Sequence, residues 1–367
     1  MKYKVPFVNY PLQYERIRDE VDRAVTSALA GGEFILREET KRFEESMADL
    51  LDVERCVGVN SGTDALILSL LAAGIGPGDE VITVAHTYVA SIAAIVHAGG
   101  TPVLVDVGDD MNMDVGQVEE AVTSKTKAVM PVHLNGRMCD MTRLMEVTAK
   151  HGLIVIEDAA QALTATCDGK KAGSFGLASG FSFYPAKVLG AAGDAGLIAT
   201  SDPQLAEEVW LLRDHGRKTK DELACFGFNT RLDNVQAAIL NVKLKYVTAW
   251  VQRRREIADL YYEGLSDVPG VKLPPRPDER FQDVYQNYVL RVAKRDELAA
   301  YLRESGIEVI ISNPIPVHHQ EQLGLSRFHL PNTERLAQDV ISIPNIPELS
   351  NDQVQYVIDR IRSFYTQ

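Results

Sequence analysis

The chain has 367 residues, 46% hydrophobic and 24% charged, enough to bury a large core and to form two or three domains. Its formal net charge of −13 argues against a nucleic-acid footprint or a polybasic membrane patch, and no apolar run nears the ~18 residues of a membrane span. Cys56, Cys139, Cys167 and Cys225 are far apart and form no C-x-x-C pair. Neither a metal site nor a disulfide framework is therefore expected, and with no signal-peptide core at the N-terminus the chain reads as a soluble, cytoplasmic protein.

Apolar positions at helical spacing between residues 14 and 30 stop at Gly31-Gly32, which predicts a glycine-closed helix. Phe34-Ile-Leu36 connects it to a second amphipathic helix over 38–51. Cys56-Val-Gly-Val59 reads as a buried strand ending in Asn60-Ser-Gly-Thr-Asp-Ala65, with an apolar helix over 66–73. A strand, a small-residue loop and a helix N-terminus make an anion site for Gly62 and Thr63, or a plain helix cap. Strands at 80–84, 102–107, 128–133 and 153–156 then alternate with helices at 90–97, 115–122 and 143–151. Near-continuous apolar strands between amphipathic helices predict a parallel sheet covered on both faces, with ligands at the carboxyl ends of its strands.

Three loops leave such ends. Ala85-His-Thr-Tyr-Val89 offers Tyr88, a face for a planar ligand or a core-packing ring. His133-Leu-Asn-Gly-Arg137 reads as a surface turn or as a substrate-contacting loop. Glu157-Asp-Ala-Ala-Gln161 puts a carboxylate at the end of a buried strand, where it needs a cationic partner or several donors. Asp158 suits a protonated ring nitrogen, with Gln161 on another ring substituent; capping the next helix is the competing role.

Lys187 stands among apolar and very small residues in Phe181-Ser-Phe-Tyr-Pro-Ala-Lys-Val-Leu-Gly-Ala-Ala-Gly-Asp-Ala-Gly196. Desolvation favours a neutral amine able to form a Schiff base with an aldehyde cofactor, whereas a lysine snorkelling at a turn would reach water. Gly190, Gly193 and Gly196 would let the backbone pass beside a flat ring, and Ser182 would place a hydroxyl at its far end. Farther on, a helix at 203–215 leads through a basic segment to the polar loop 227–233, and a helical pattern covers 234–265. It separates a large domain, 1–246, from a smaller C-terminal α+β domain, 247–367. That domain is read as strands at 286–292 and 309–311, helices at 295–304, 333–339 and 351–365, and an extended loop at 313–320.

A phosphate loop, an aromatic face, Asp158 with Gln161, and Lys187 with Ser182 together hold the groups that bind pyridoxal 5'-phosphate. The sequence also resembles the sugar aminotransferases of the DegT/DnrJ/EryC1/StrS group, of the aspartate-aminotransferase fold (type I). The resemblance runs from Pro6-Phe7-Val8 through Asn60 to Leu66, Thr87 to Ala90, Glu157 to Ala162, Ser182 to Gly196 and Arg231 to Ala238, to Pro314-Ile-Pro-Val-His318. It implies Lys187 as the Schiff-base lysine, Asp158 on the pyridine nitrogen, Gln161 on the ring hydroxyl and Tyr88 stacked on the ring. Gly62, Thr63 and Ser182 would hold the phosphate, with Asn229 reaching it from the other subunit of a homodimer. Arg231 and His318 are implied as substrate contacts.

The implied reaction moves an amino group, from glutamate, to the keto group of a nucleotide-linked hexose. The run after Lys187 is similar to members that aminate C3; C4 amination, a cyclitol or aminobenzoate-precursor substrate, and a non-enzymatic cofactor-binding regulator are the alternatives. A dehydratase of the same fold carries histidine in place of the lysine. Arg37-Glu38, Leu163 and His319 depart from the commoner pattern and bear on substrate choice rather than chemistry.

Overall fold

The computed structural model describes residues 3–366. Helix α1 (Tyr10–Gly31) starts four residues earlier than its apolar period suggests, because the Asn9 side chain accepts from Leu12 N–H and Pro11 occupies the first turn. It ends at Gly32, whose φ of +68° a glycine adopts without strain. Helix α2 (Glu38–Leu51) buries Phe43, Met47 and Leu51, and Asn234 ties its start to the helix Asn234–Leu244 by accepting from Thr40 N–H at 3.1 Å.

Strands β1 (Arg55–Val59), β2 (Glu80–Val84), β3 (Thr101–Val105), β4 (Thr126–Val129) and β5 (Ile154–Asp158) are followed by a short hairpin, β6 (Thr166–Cys167) and β7 (Lys170–Lys171). Strands β8 (Ala178–Ser182) and β9 (Gly196–Thr200) complete a seven-stranded sheet ordered β1-β9-β8-β5-β4-β2-β3. The expected parallel sheet is found from β8 through β3, but β9 runs antiparallel to both β8 and β1. The segment 183–195 contains no helix to carry the chain back across the sheet face, so β9 folds directly alongside β8. All five β9 residues are buried; Leu197 and Ile198, with no exposed surface, each contribute about 1.5–3 kcal/mol of apolar burial. An unbroken apolar run carries no mark of direction, which is why the sequence misses the reversal.

Helices α3 (Gly62–Ala72) and α4 (Ala90–His97) lie where expected, α3 starting four residues earlier because Ser61 caps it. The expected helix over 115–122 is a 3-10 turn, Val115–Gln117, and a single helical turn, Val118–Ala121. The pattern over 234–265 is two helices, Asn234–Leu244 and Val247–Leu265, since Tyr246 N–H bonds back three residues to Lys243 O at 2.9 Å. Val247 and Val251 still join the core beneath the large sheet, whereas Ile257, Tyr261 and Leu265 pack in a second core with Val5, Leu290 and Ile341.

That second core lies against β10 (Val271–Lys272), β12 (Tyr288–Val292) and β13 (Val340–Ile343), while β11 (Phe281–Gln282) joins the β6–β7 hairpin. The expected strand at 309–311 is not formed. Ile310 makes one bridge, to Ser342, and Asn313, at φ +48°, turns the chain away ahead of Pro314. None of the described helices is long and apolar enough to cross a membrane.

Candidate active site

Register puts Val59, Gly196 and Ser182 level across the antiparallel end of the sheet. Just beyond them, the chain leaving β1, β2, β5 and β8 encloses a cavity of about 490 Å³, an ordinary size for a small-ligand site. It is lined by Gly62, Thr63, Tyr88, Asp158, Gln161, Ser182 and Lys187, so seven residues expected at one site do share one. Cavities of about 350 and 250 Å³ adjoin it, both sharing Gln161, the larger also Lys187 and the smaller Tyr88.

One end is built for an anion. Ser61 Oγ accepts from Asp64 N–H at 3.1 Å and Ser61 O from Ala65 N–H at 3.0 Å, while the N–H groups of Gly62 and Thr63 have no acceptor among the described residues. Thr230 braces the turn, its hydroxyl 2.7 Å from Asn60 Oδ1 and 3.0 Å from Asp64 Oδ2. A Cβ at Gly62 would lie 2.7 Å from Ser182 Cβ, and one at Gly196 would lie 2.2 Å from Ser61 O. The glycines therefore serve close backbone packing. Gly190 has the same role against Pro185 O, at 2.3 Å, and a Cβ at Gly193 would meet the amide of Gln236. Of residues 188–196 only Asp194 and Ala195 line the cavity, so the glycines there do not clear space for a ring.

Asp158 lies across the cavity and is 6% exposed. Its Oδ2 accepts from Ser91 Oγ at 2.7 Å and its Oδ1 from Ala160 N–H at 3.2 Å; Thr87 Oγ1 is 2.8 Å from Ser91 Oγ in turn. Ser91, a missed residue, comes from α4 and gave no local signal beyond its place three residues after Tyr88. Gln161 Oε1 accepts from Asn135 N–H at 2.8 Å, which leaves the amide NH2 as the group free to donate into the cavity. The loop supplying that contact is not the expected surface turn: His133 and Leu134 are buried, and Asn135 and Gly136 both have positive φ.

Lys187 follows the tight turn in which its own N–H bonds Tyr184 O at 2.8 Å. Its amine makes no hydrogen bond or ion pair among the described residues, and burial pushes it below the ordinary lysine value, with Asp158 opposing only in part. Gln286 was also missed. Its Oε1 accepts from Val188 N–H at 2.8 Å and its Nε2 donates to Ala186 O at 2.8 Å, fixing the peptides on both sides of the lysine.

Tyr88 is 68% exposed at the cavity mouth, so it is not a core ring. Asn229, Arg231 and His318 are outside the cavity of their own chain. Asn229 is exposed, and Arg231 Nη1 donates to Asp214 Oδ1 at 2.9 Å. His318 is fully buried beside Glu334, and burial lowers its pKa. Arg37, Leu163 and His319 do not line the three large cavities either.

The profile of the DegT/DnrJ/EryC1/StrS aminotransferase family matches residues 15–362. The chain belongs to this family. A relative from Geobacillus stearothermophilus, named a pleiotropic regulatory protein, is 42% identical over 98% of both chains. A dTDP-3-amino-3,4,6-trideoxy-alpha-D-glucose transaminase of Streptomyces venezuelae is 40% identical over 98% of this chain and 96% of its own. The crystal structure of S. venezuelae DesV, in complex with a ketimine intermediate, matches at TM-score 0.95 and 39% identity over 99% of both chains. The sequence expectations of the family, of its α/β aminotransferase fold and of an aminotransferase dependent on pyridoxal 5'-phosphate are thereby borne out. The cavity fits that cofactor: two unpaired backbone N–H groups at one end suit a phosphate, and a carboxylate and an unpartnered amine suit its ring nitrogen and its aldehyde.

Proposed function

We propose that this enzyme moves an amino group from an amino-acid donor, glutamate, to a keto group at C3 of a nucleotide-linked hexose. The convergence of Lys187, Asp158 and Gln161 on one cavity with the anion-ready start of α3 carries this reading. The sugar and its carbon are supported by the resemblance to a 3-amino-sugar transaminase across nearly the whole chain. Lys187 is the residue that bonds the cofactor, Gly62, Thr63 and Ser182 hold its phosphate, and Tyr88 stacks on its ring. When bound, pyridoxal 5'-phosphate supplies an electron sink for the carbon that loses a proton. Asp158, held by Ser91 and Ala160 N–H, keeps a proton on the ring nitrogen, and the Gln161 amide donates to the ring hydroxyl. Lys187, whose burial favours the neutral amine, would take the proton from the amine-bearing carbon and give it back two atoms away, the 1,3-shift that transamination needs.

The active unit is a cytoplasmic homodimer in which Asn229 completes the partner's site. Two observations support it: Asn229 is exposed and does not line its own chain's cavity, and Leu223, Phe226 and Phe228 on the same loop are 67%, 102% and 44% exposed. The test is the reverse half-reaction with paired 3-amino and 4-amino nucleotide hexoses, followed by the cofactor's visible absorption. Conversion by the 3-amino compounds is expected. Conversion by the 4-amino compounds alone would overturn the C3 assignment, and conversion by neither would overturn the sugar.

A further inference from the structure

A second cluster lies behind the wall that carries Tyr88. Val317, Leu325 and Leu330 pack there against Ala85, Ile92 and Leu104, and the helix Pro331–Asp339 is capped by Asp106, whose Oδ1 accepts from Thr333 N–H at 2.8 Å. In this setting one carboxylate oxygen, Glu334 Oε1, lies 3.3 Å from His318 Nε2, 3.6 Å from His319 Nε2 and 3.5 Å from His329 Nδ1. It also accepts from Leu330 N–H at 3.1 Å. That is more donors than an oxygen with two lone pairs can serve, and the contacts to His319 and His329 are too long for good hydrogen bonds. Each of these three spacings is close to the separation of two ligands on one ion, about 3.4 Å for bonds of 2.0–2.1 Å in a tetrahedral arrangement, although His329 has to swing inward to join the others.

We propose that His318 Nε2, His319 Nε2, His329 Nδ1 and the Glu334 carboxylate form a site for a divalent transition-metal ion of the Zn²⁺ class. Ligand atoms of His318, His319 and Glu334 all lie within 4.8 Å of one another. Three imidazoles and one carboxylate select a borderline ion over Mg²⁺ or Ca²⁺, which take oxygen ligands. Two of the ligands are fixed: His318 by complete burial, Glu334 by its place in the capped first turn. The side chains of His319 and His329, 47% and 83% exposed, are free to swing onto the ion. The ion closes the loop between residues 318 and 334. That loop follows directly on the segment whose Asn313 donates to Thr87 O at 2.8 Å, next to the aromatic wall of the cofactor cavity. The site departs from the metal-free reading of the sequence, where only the pair His318-His319 was adjacent.

The test uses the cofactor-loaded protein, stripped with a chelator and titrated with Zn²⁺ against a chromophoric competitor. One Zn²⁺ per chain is expected, with X-ray absorption showing a nitrogen and oxygen shell near 2.0 Å and no sulfur. Losing an orienting partner alone costs about 10–100-fold in metal affinity, so the His319→Ala/His329→Ala double variant is expected to bind at least about 100-fold more weakly. Both positions are exposed, so the cofactor absorbance of that variant should match the parent's. Absence of stoichiometric binding overturns the proposal. So does full affinity in the double variant, which would put the ion elsewhere, as at Asp140, Cys167 and Asp168.

Discussion

Gln286 is the most exacting test of how Lys187 is held. Replacing it by leucine keeps the approximate volume and removes both 2.8 Å hydrogen bonds, stranding Val188 N–H in a buried position and Ala186 O in a half-buried one. A buried polar group left without a partner costs about 1–3 kcal/mol, and the half-buried Ala186 O reaches water and costs about 1, so the two together should lower the unfolding free energy by about 2–4 kcal/mol. Urea unfolding followed by the fluorescence of Trp210 and Trp250 measures this. The clamp also orders the peptide carrying the amine, so the dissociation constant for pyridoxal 5'-phosphate should rise by about 10–100-fold, equivalent to about 1.4–2.8 kcal/mol. Gln286→Glu separates the two contacts: it keeps an acceptor for Val188 N–H but turns a carboxylate toward Ala186 O, and should be no more stable than the leucine variant. An unfolding free energy within about 0.5 kcal/mol of the parent, with unchanged cofactor affinity, would refute the clamp.

Lys187→Ala should abolish the visible absorption of bound cofactor, and a retained band would remove this residue from the chemistry. In the parent apoprotein, covalent capture of the cofactor should speed up with pH and level off below the ordinary lysine pKa of about 10.4, because burial has already disfavoured the ammonium; an inflection at or above that value would contradict it. His86 is pushed down to about 4 by burial, with Asp106 opposing, whereas an unfolded chain binds that proton near pH 6.5. Its stabilising contribution is therefore complete above pH 6.5 and falls by roughly 3 kcal/mol as the pH drops to about 4, so His86→Gln should flatten the acid limb of stability; parallel limbs would exclude it. Mixing inactive Lys187→Ala chains with inactive Asn229→Asp chains should restore activity through heterodimers, and exchange of subunits without recovery would rule out Asn229 acting across the dimer.

What could be read from the sequence was what is local in it. The turn after β1, the loop after β5 and the run around Lys187 each hold their chemistry within a few residues, so residue type and spacing sufficed. Ser91 and Gln286 touch the same site from 67 and 98 residues away, to Asp158 and Val188, and serine or glutamine in isolation points to nothing. The dipeptide Glu157-Asp158 shows where local reading divides. Neither carboxylate is a free charge, and strand alternation turns them to opposite faces. Glu157, fully buried, accepts from Phe175, Gly176 and Gly173 N–H at 2.8–2.9 Å and faces His133 Nε2 at 3.0 Å. Burial alone would raise its pKa, but these donors outweigh burial and hold it low. His133 Nδ1 accepts from Cys139 N–H at 3.2 Å, so Nε2 carries the proton given to Glu157. Among the described residues Asp158, one residue on, has only Ser91 Oγ and Ala160 N–H as donors and opens onto the cavity. The rule that a buried carboxylate needs donors applies to both, yet only the second has capacity left for a ligand. The difference lies in the backbone N–H groups of residues 173–176, which no periodicity around the dipeptide records.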